Sequence, residues 1–210
     1  MTSPGSAPAK PNARGLGAWA TGTIGLILAA VFAVEGGYVN DPRDPGGETN
    51  HGVTKQVAVD NGYTGPMRDL TKDQAATIYI ENYIRKPGFM PIVDIDPAVA
   101  EELVDSAVNL GPARPSRWFQ ASINELNKSA RPIAVDGKVG PGTVAAFKQV
   151  RQSVGPVVTC RLMLDKLDAR QAAEYRRLAK ADPRFNRFLK GWLRNRVGNV
   201  DRALCLKAAA

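Results

Sequence analysis

Glu35-Gly-Gly-Tyr-Val-Asn-Asp-Pro-Arg-Asp-Pro-Gly-Gly-Glu-Thr-Asn-His-Gly-Val-Thr54 is the stretch on which the reading of this chain turns. Asp44 follows Glu35 after eight residues and Thr49 follows Asp44 after four, so two carboxyls and a hydroxyl share one short segment. Gly36, Gly37, Gly46 and Gly47, with Pro42 and Pro45, supply tight turns and let a ligand approach the backbone. The same composition also suits a surface hairpin with solvated acids, so composition alone leaves both readings open.

The two carboxyls stand in unlike surroundings. Glu35 follows Val31, Phe32, Ala33 and Val34, an apolar approach that raises a carboxyl pKa; Asp44 sits among Pro, Gly and Arg43, where solvent and a cation favour the charged form. Cleaving a glycosidic bond needs that asymmetry, one carboxyl protonated to donate to the leaving oxygen and one ionised to activate water or stabilise positive charge. His51 is the only histidine, which leaves little for a His-based triad or a His-rich zinc site. Asp41, Asp44 and Glu48 have the oxygen chemistry of a calcium loop, but their spacing fits no EF-hand.

The string EGGYVNDPRDPGGETNHGVT, followed by GYTGPMRDLTKDQA (62–75), resembles the signature of glycoside hydrolase family 108, lysozyme-like N-acetylmuramidases of phages and bacteria. VDGKVGPGTVAAF (135–147) and FLKGWLRNR (188–196) resemble the peptidoglycan-binding module that accompanies this family. The resemblance implies Glu35 as proton donor, Asp44 as second carboxylate and Thr49 as a water-positioning hydroxyl. It also implies sugar contacts from Tyr38, Asn40, Gly47, Asn50 and His51, the last standing where an aromatic is expected. In the family a helix crosses the cleft, so Asn109 is a further substrate contact, or alternatively a helix cap before Gly111-Pro112. The implied activity is hydrolysis of the β-1,4 bond between N-acetylmuramic acid and N-acetylglucosamine, without cofactor or metal, by a phage endolysin that lyses its host. A lytic transglycosylase and a non-hydrolytic wall-binding protein are the rival readings.

Gly15 to Val34 carries no charge over a length that can span a bilayer, behind Lys10 and Arg14. Three readings compete for it: a cleaved signal peptide, a buried core helix, and a signal-anchor-release segment that leaves the membrane to become the first helix of the catalytic domain. The third is the expectation, with the protein in the host inner membrane, N-in and C-out, and then in the periplasm. The expected organisation is a flexible cytoplasmic tail at 1–14, that segment at 15–34, a catalytic muramidase domain at 35–112 and a helical peptidoglycan-binding module at 113–210.

Thr71-Lys-Asp-Gln74 reads as a capping box opening a helix to about Tyr83, and Asp96-Pro97 as an N-cap with proline in the first turn. Further helices are expected near Pro115, with Trp118 and Phe119 packed inside, from Pro156 to about Lys180, and from about Phe185 to Arg196. Leu162, Leu164, Leu167 and Tyr175 should form the core side of the longest, and Trp192 should be core. The fold class is mainly α, a lysozyme-like helical fold with a small β-hairpin within 38–54 near the active site. Cys160 and Cys205 permit one disulfide or two free thiols.

Residues 35–98 hold ten acidic and six basic side chains, whereas 99–210 hold ten acidic and twenty basic. A cationic half beside an acid-lined loop suits peptidoglycan, a polyanionic wall polymer, as the partner. No nucleic acid is expected, although charge alone permits it. The protein is expected to act as a monomer with transient inner-membrane contact through 15–34.

Overall fold

The structure, a computed structural model, describes residues 24–25, 27–29, 37–40, 47–127 and 131–209. The chain divides into two compact units, Met1–Ile80 and Glu81–Ala210. The expected tail at 1–14 lies outside the described residues.

In the first unit, Ile24, Gly25 and Ile27–Ala29 are helical. Ile24, Ile27 and Leu28 are 5%, 1% and 6% exposed, so these apolar side chains are turned into protein as those of a core helix are. Among the described residues no helix is long and apolar enough to cross a membrane. The expected inner-membrane location, N-in and C-out, is therefore corrected.

Strands β1 (Thr49–Asn50) and β2 (Val53–Thr54) pair antiparallel, Thr49 opposite Thr54 and Asn50 opposite Val53. The two residues between them, His51 and Gly52, both have positive φ, 50° and 72°. Two successive left-handed residues make the tight hairpin turn whose twist matches that of the strands. Helix α1 (Lys55–Asp60) starts at once, capped by the Thr54 hydroxyl, which accepts from the Val57 amide at 3.4 Å. Helix α2 (Lys72–Ile80) opens with the expected capping box: the Gln74 amide donates to the Thr71 hydroxyl at 3.2 Å and the Thr71 amide to the Gln74 side chain at 2.9 Å.

The second unit begins with a π-helical turn, Glu81–Arg85, so the α-helix ends at Ile80 rather than near Tyr83. It continues through α3 (Met90–Ile95), α4 (Pro97–Leu110), α5 (Ala113–Leu126), α6 (Pro141–Val154), α7 (Pro156–Ala181), α8 (Asn186–Asn195) and a 3-10 stretch, Arg202–Ala209. The 26-residue α7 is the spine, touching α4, α5, α6, α8 and the C-terminal stretch. Leu164, Leu167 and Tyr175 are buried on it as expected, but Leu162 is 37% exposed. The reason is angular: at ~100° per residue, Leu162 lies about 160° from Leu164 and Leu167 points nearer to Leu164, so the three cannot share one face.

Asp96 caps α4, its carboxyl accepting from the Val99 amide at 3.3 Å and pairing with Arg151 of α6. Cys160 and Cys205 form a disulfide that closes a separation of 45 residues and fixes the C-terminal stretch to α7. Gly88, at φ +86°, lies so close to the loop before α6 that an added Cβ would sit 2.0 Å from the Val139 carbonyl oxygen. Only glycine permits that approach.

A polar cluster lies within this helical core. Glu102 is fully buried, and one carboxyl oxygen accepts from the Ser106 hydroxyl at 3.2 Å. Among the described residues its other oxygen meets no donor, and neither does the buried side-chain carbonyl of Gln171. Burial, reinforced by Asp168 and Asp105, pushes the Glu102 carboxyl well above the usual range. Asp105 pairs with Arg196 at 2.6 Å and Asp168 with Arg202, so the helices around α7 are cross-linked by charge as well as by packing.

Candidate active-site loop

The loop is closed at its base by backbone pairing. Val39 and Thr49 exchange two hydrogen bonds, the Val39 amide to the Thr49 carbonyl at 2.8 Å and the reverse at 2.9 Å. Nine residues, 40–48, therefore begin and end at one point, and Asp44 falls among them in sequence. Glu35 and Asp44, and Asp41 of the considered calcium loop, lie outside the described residues.

Tyr38 and Glu48 meet beside this closure. The half-buried Tyr38 hydroxyl donates to the Glu48 carboxylate at 2.8 Å, and the Arg68 guanidinium lies 5.1 Å from the Tyr38 ring centroid. Lys55, at the start of α1, donates to the other Glu48 oxygen at 3.0 Å. Lys55 first and Tyr38 second hold the Glu48 carboxyl below its ordinary range, so it stays ionised and serves as a tie across the loop base.

Thr49 is half-buried on β1, its hydroxyl donating to the Gly47 carbonyl at 3.4 Å, while Gly47 has φ +66° and Asn40 is exposed. Asn50 is 4% exposed, and its side-chain amide donates to the carbonyls of Met67 at 2.8 Å and Leu70 at 3.3 Å. That amide is engaged in holding the 3-10 turn Met67–Asp69 under the hairpin. His51 occupies the left-handed turn position described above. Tyr38, Gly47, Thr49, Asn50 and His51 thus gather around one hairpin of the first unit. Asn109 belongs to the second unit, where its side-chain amide donates to the Asp105 carbonyl one turn back at 2.8 Å.

Sequence reasoning did not single out Lys55 or Arg68, or Glu48 as a structural tie. The signal available was the cation seven residues after Glu48, but nothing local indicates which pair closes. Among the described residues no group of three or more His, Cys, Asp or Glu side chains is placed to hold a metal ion. The second unit also carries an open cleft of about 500 Å³, walled by Met90, Pro91, Val139 and Val144 with Arg85 and Lys148 on its rim. Among the described residues no carboxyl lines it.

Known families match the chain in two consecutive parts, and the first of them crosses the boundary between the two compact units. Residues 28–111 match the glycosyl hydrolase 108 family and residues 114–197 match a predicted peptidoglycan domain. The solved structure of Brucella abortus SagA is 30% identical, with a TM-score of 0.63, over 89% of this chain and 95% of that one. No curated protein matches the chain. A helical glycoside hydrolase directed at peptidoglycan is the class so defined. The chain belongs to the glycosyl hydrolase 108 family, with the predicted peptidoglycan domain following its hydrolase region.

Proposed function

We propose that this enzyme is a muramidase of the endolysin type, hydrolysing the β-1,4 bond between N-acetylmuramic acid and N-acetylglucosamine and thereby opening a host cell wall. The observation that carries the reading is the closure of the loop at Val39 and Thr49 within the hydrolase region. It holds the Thr49 hydroxyl at the base of the segment that contains Asp44.

In the proposed reaction Glu35 gives its proton to the glycosidic oxygen as the bond to the sugar breaks. Asp44 stabilises the positive charge that develops or takes a proton from the attacking water, and Thr49 orients that water. Tyr38, Asn40, Gly47, Asn50, His51 and Asn109 are proposed to contact the sugars. In this proposal 35–112 is the catalytic domain and 113–210 the wall-binding module.

Mass spectrometry of the products from purified peptidoglycan tests the reaction type. Hydrolysis adds one water per cleavage and leaves reducing N-acetylmuramic acid ends. Anhydro-muramic ends would assign the protein to the lytic transglycosylases, and no cleavage would leave it a binding protein.

A further inference from the structure

Thr49 pairs with Thr54, so the next rung of the hairpin sets Glu48 opposite Lys55, the first residue of α1. Lys55 holds Glu48 twice: its amide donates to the Glu48 carbonyl at 2.8 Å and its ammonium to a carboxylate oxygen at 3.0 Å. The other oxygen accepts from the Tyr38 hydroxyl at 2.8 Å. One side chain therefore joins the chain entering loop 40–48 to the helix that follows the hairpin. Both oxygens are engaged, and Lys55 and Tyr38 hold the group ionised below its ordinary range. A carboxylate so stabilised is a weak base, unsuited to taking a proton from water.

Beside the bridge at Val39 and Thr49 successive side chains point to opposite faces, so Glu48 and Thr49 point apart. The Thr49 hydroxyl has one long bond of its own, 3.4 Å to the Gly47 carbonyl, so its position is set by the backbone of β1. That backbone is held by Val39 at Thr49 itself and by Lys55 one residue earlier. The Lys55 side chain is 63% exposed, and an ion pair of this kind adds little to global stability. Its effect is on local geometry.

We propose that Glu48 is a positioning residue for glycan cleavage: its bonds to Tyr38 and Lys55 fix the backbone that presents the Thr49 hydroxyl, and it acts through Thr49 without touching the substrate. The proposal rests on the hydrolytic reading above, in which Thr49 orients the attacking water. A hydroxyl placed by backbone alone moves with that backbone, and a displacement of about 1 Å at a reacting group costs on the order of a hundredfold in rate.

The test measures kcat and KM on short soluble glycan fragments with the full-length, disulfide-bonded protein. Glu48→Ala should lower kcat roughly ten- to a hundredfold while KM stays within a factor of about two. Thr49→Ala should cost at least as much, and adding Glu48→Ala to it should lower the rate by less than about twofold further, a strongly non-additive cycle. Lys55→Met should reproduce much of the Glu48→Ala loss, and Lys55→Arg, which returns a cation to Glu48, should recover it. Full additivity of the Glu48 and Thr49 losses would overturn the proposal by giving Glu48 a separate role. A raised KM with kcat unchanged would also overturn it, by making Glu48 a sugar contact, as would unchanged kinetics in Glu48→Ala. Should Glu48→Ala not fold, Lys55→Met with Thr49→Ala runs the same cycle from an exposed residue. Failure of the muramidase reading shows in the wild type alone, as products without reducing ends, whereas failure of this proposal shows only in the variants.

Discussion

Glu102 is the residue at which the structure makes the sharpest energetic statement. Its carboxyl is buried among Asp105 and Ser106 of its own helix, Asp168 of α7 and the Arg202 guanidinium, and burial raises its pKa well above the ordinary 4.5. The unfolded chain releases this proton near that ordinary value, whereas the folded protein retains it. Its stabilising contribution is therefore complete below 4.5 and is lost as pH rises through the folded value, at about 1.4 kcal/mol for each unit between the two. Glu102→Gln keeps the neutral shape and should remove that loss, so the variant gains stability on the wild type from pH 4 to 8. Parallel urea-denaturation profiles across that range would show that Glu102 is not held protonated. Nothing in the sequence marks Glu102 as buried and Glu101 as half-buried, because helical periodicity gives a direction while neighbouring helices decide the depth. Asn50 has the same lesson: a loop asparagine reads as a ligand contact, and only the fold reveals that its amide nitrogen holds Met67 and Leu70.

Helix starts were the most legible elements, because caps are local chemistry. Thr71 with Gln74 and Asp96 with Pro97 need no distant partner, and both cap as read. The hairpin within 38–54 was legible as an element, but its turn was less so, since His51-Gly52 replaces the commoner Asn-Gly in the left-handed positions. Leu162 was misassigned because leucine spacing along a 26-residue helix is ambiguous when several helices pack around it. The disulfide was legible only as a possibility, since pairing depends on the C-terminal stretch returning to α7. It closes a loop for which the chain-entropy relation gives about 4 kcal/mol, and typical native bonds contribute about 2–4. Cys160→Ser with Cys205→Ser should therefore lower the melting temperature clearly and expose the 3-10 stretch Arg202–Ala209 to hydrogen exchange. Equal melting temperatures for the two proteins would show that packing alone holds that stretch.

The whole molecule combines a hydrolase region that is acidic near the loop with a strongly basic helical half, and that asymmetry was visible in composition. The membrane expectation was not sustained, because chain length and missing charge describe a segment able to span a bilayer and equally a core helix rich in Gly and Ala. Burial of Ile24, Ile27 and Leu28 agrees with the second reading. Family likeness supplies the class of chemistry, and the catalytic residues proposed for it lie on and beside the loop closed at Val39 and Thr49. The central claim is that Glu35 donates the proton that breaks the glycosidic bond. Muropeptide release from purified sacculi by wild type and Glu35→Gln, with matched circular dichroism spectra, tests it most directly. The account predicts a folded variant slowed by roughly two to four orders of magnitude, the scale of a lost acid–base group. Release at close to the wild-type rate would contradict it.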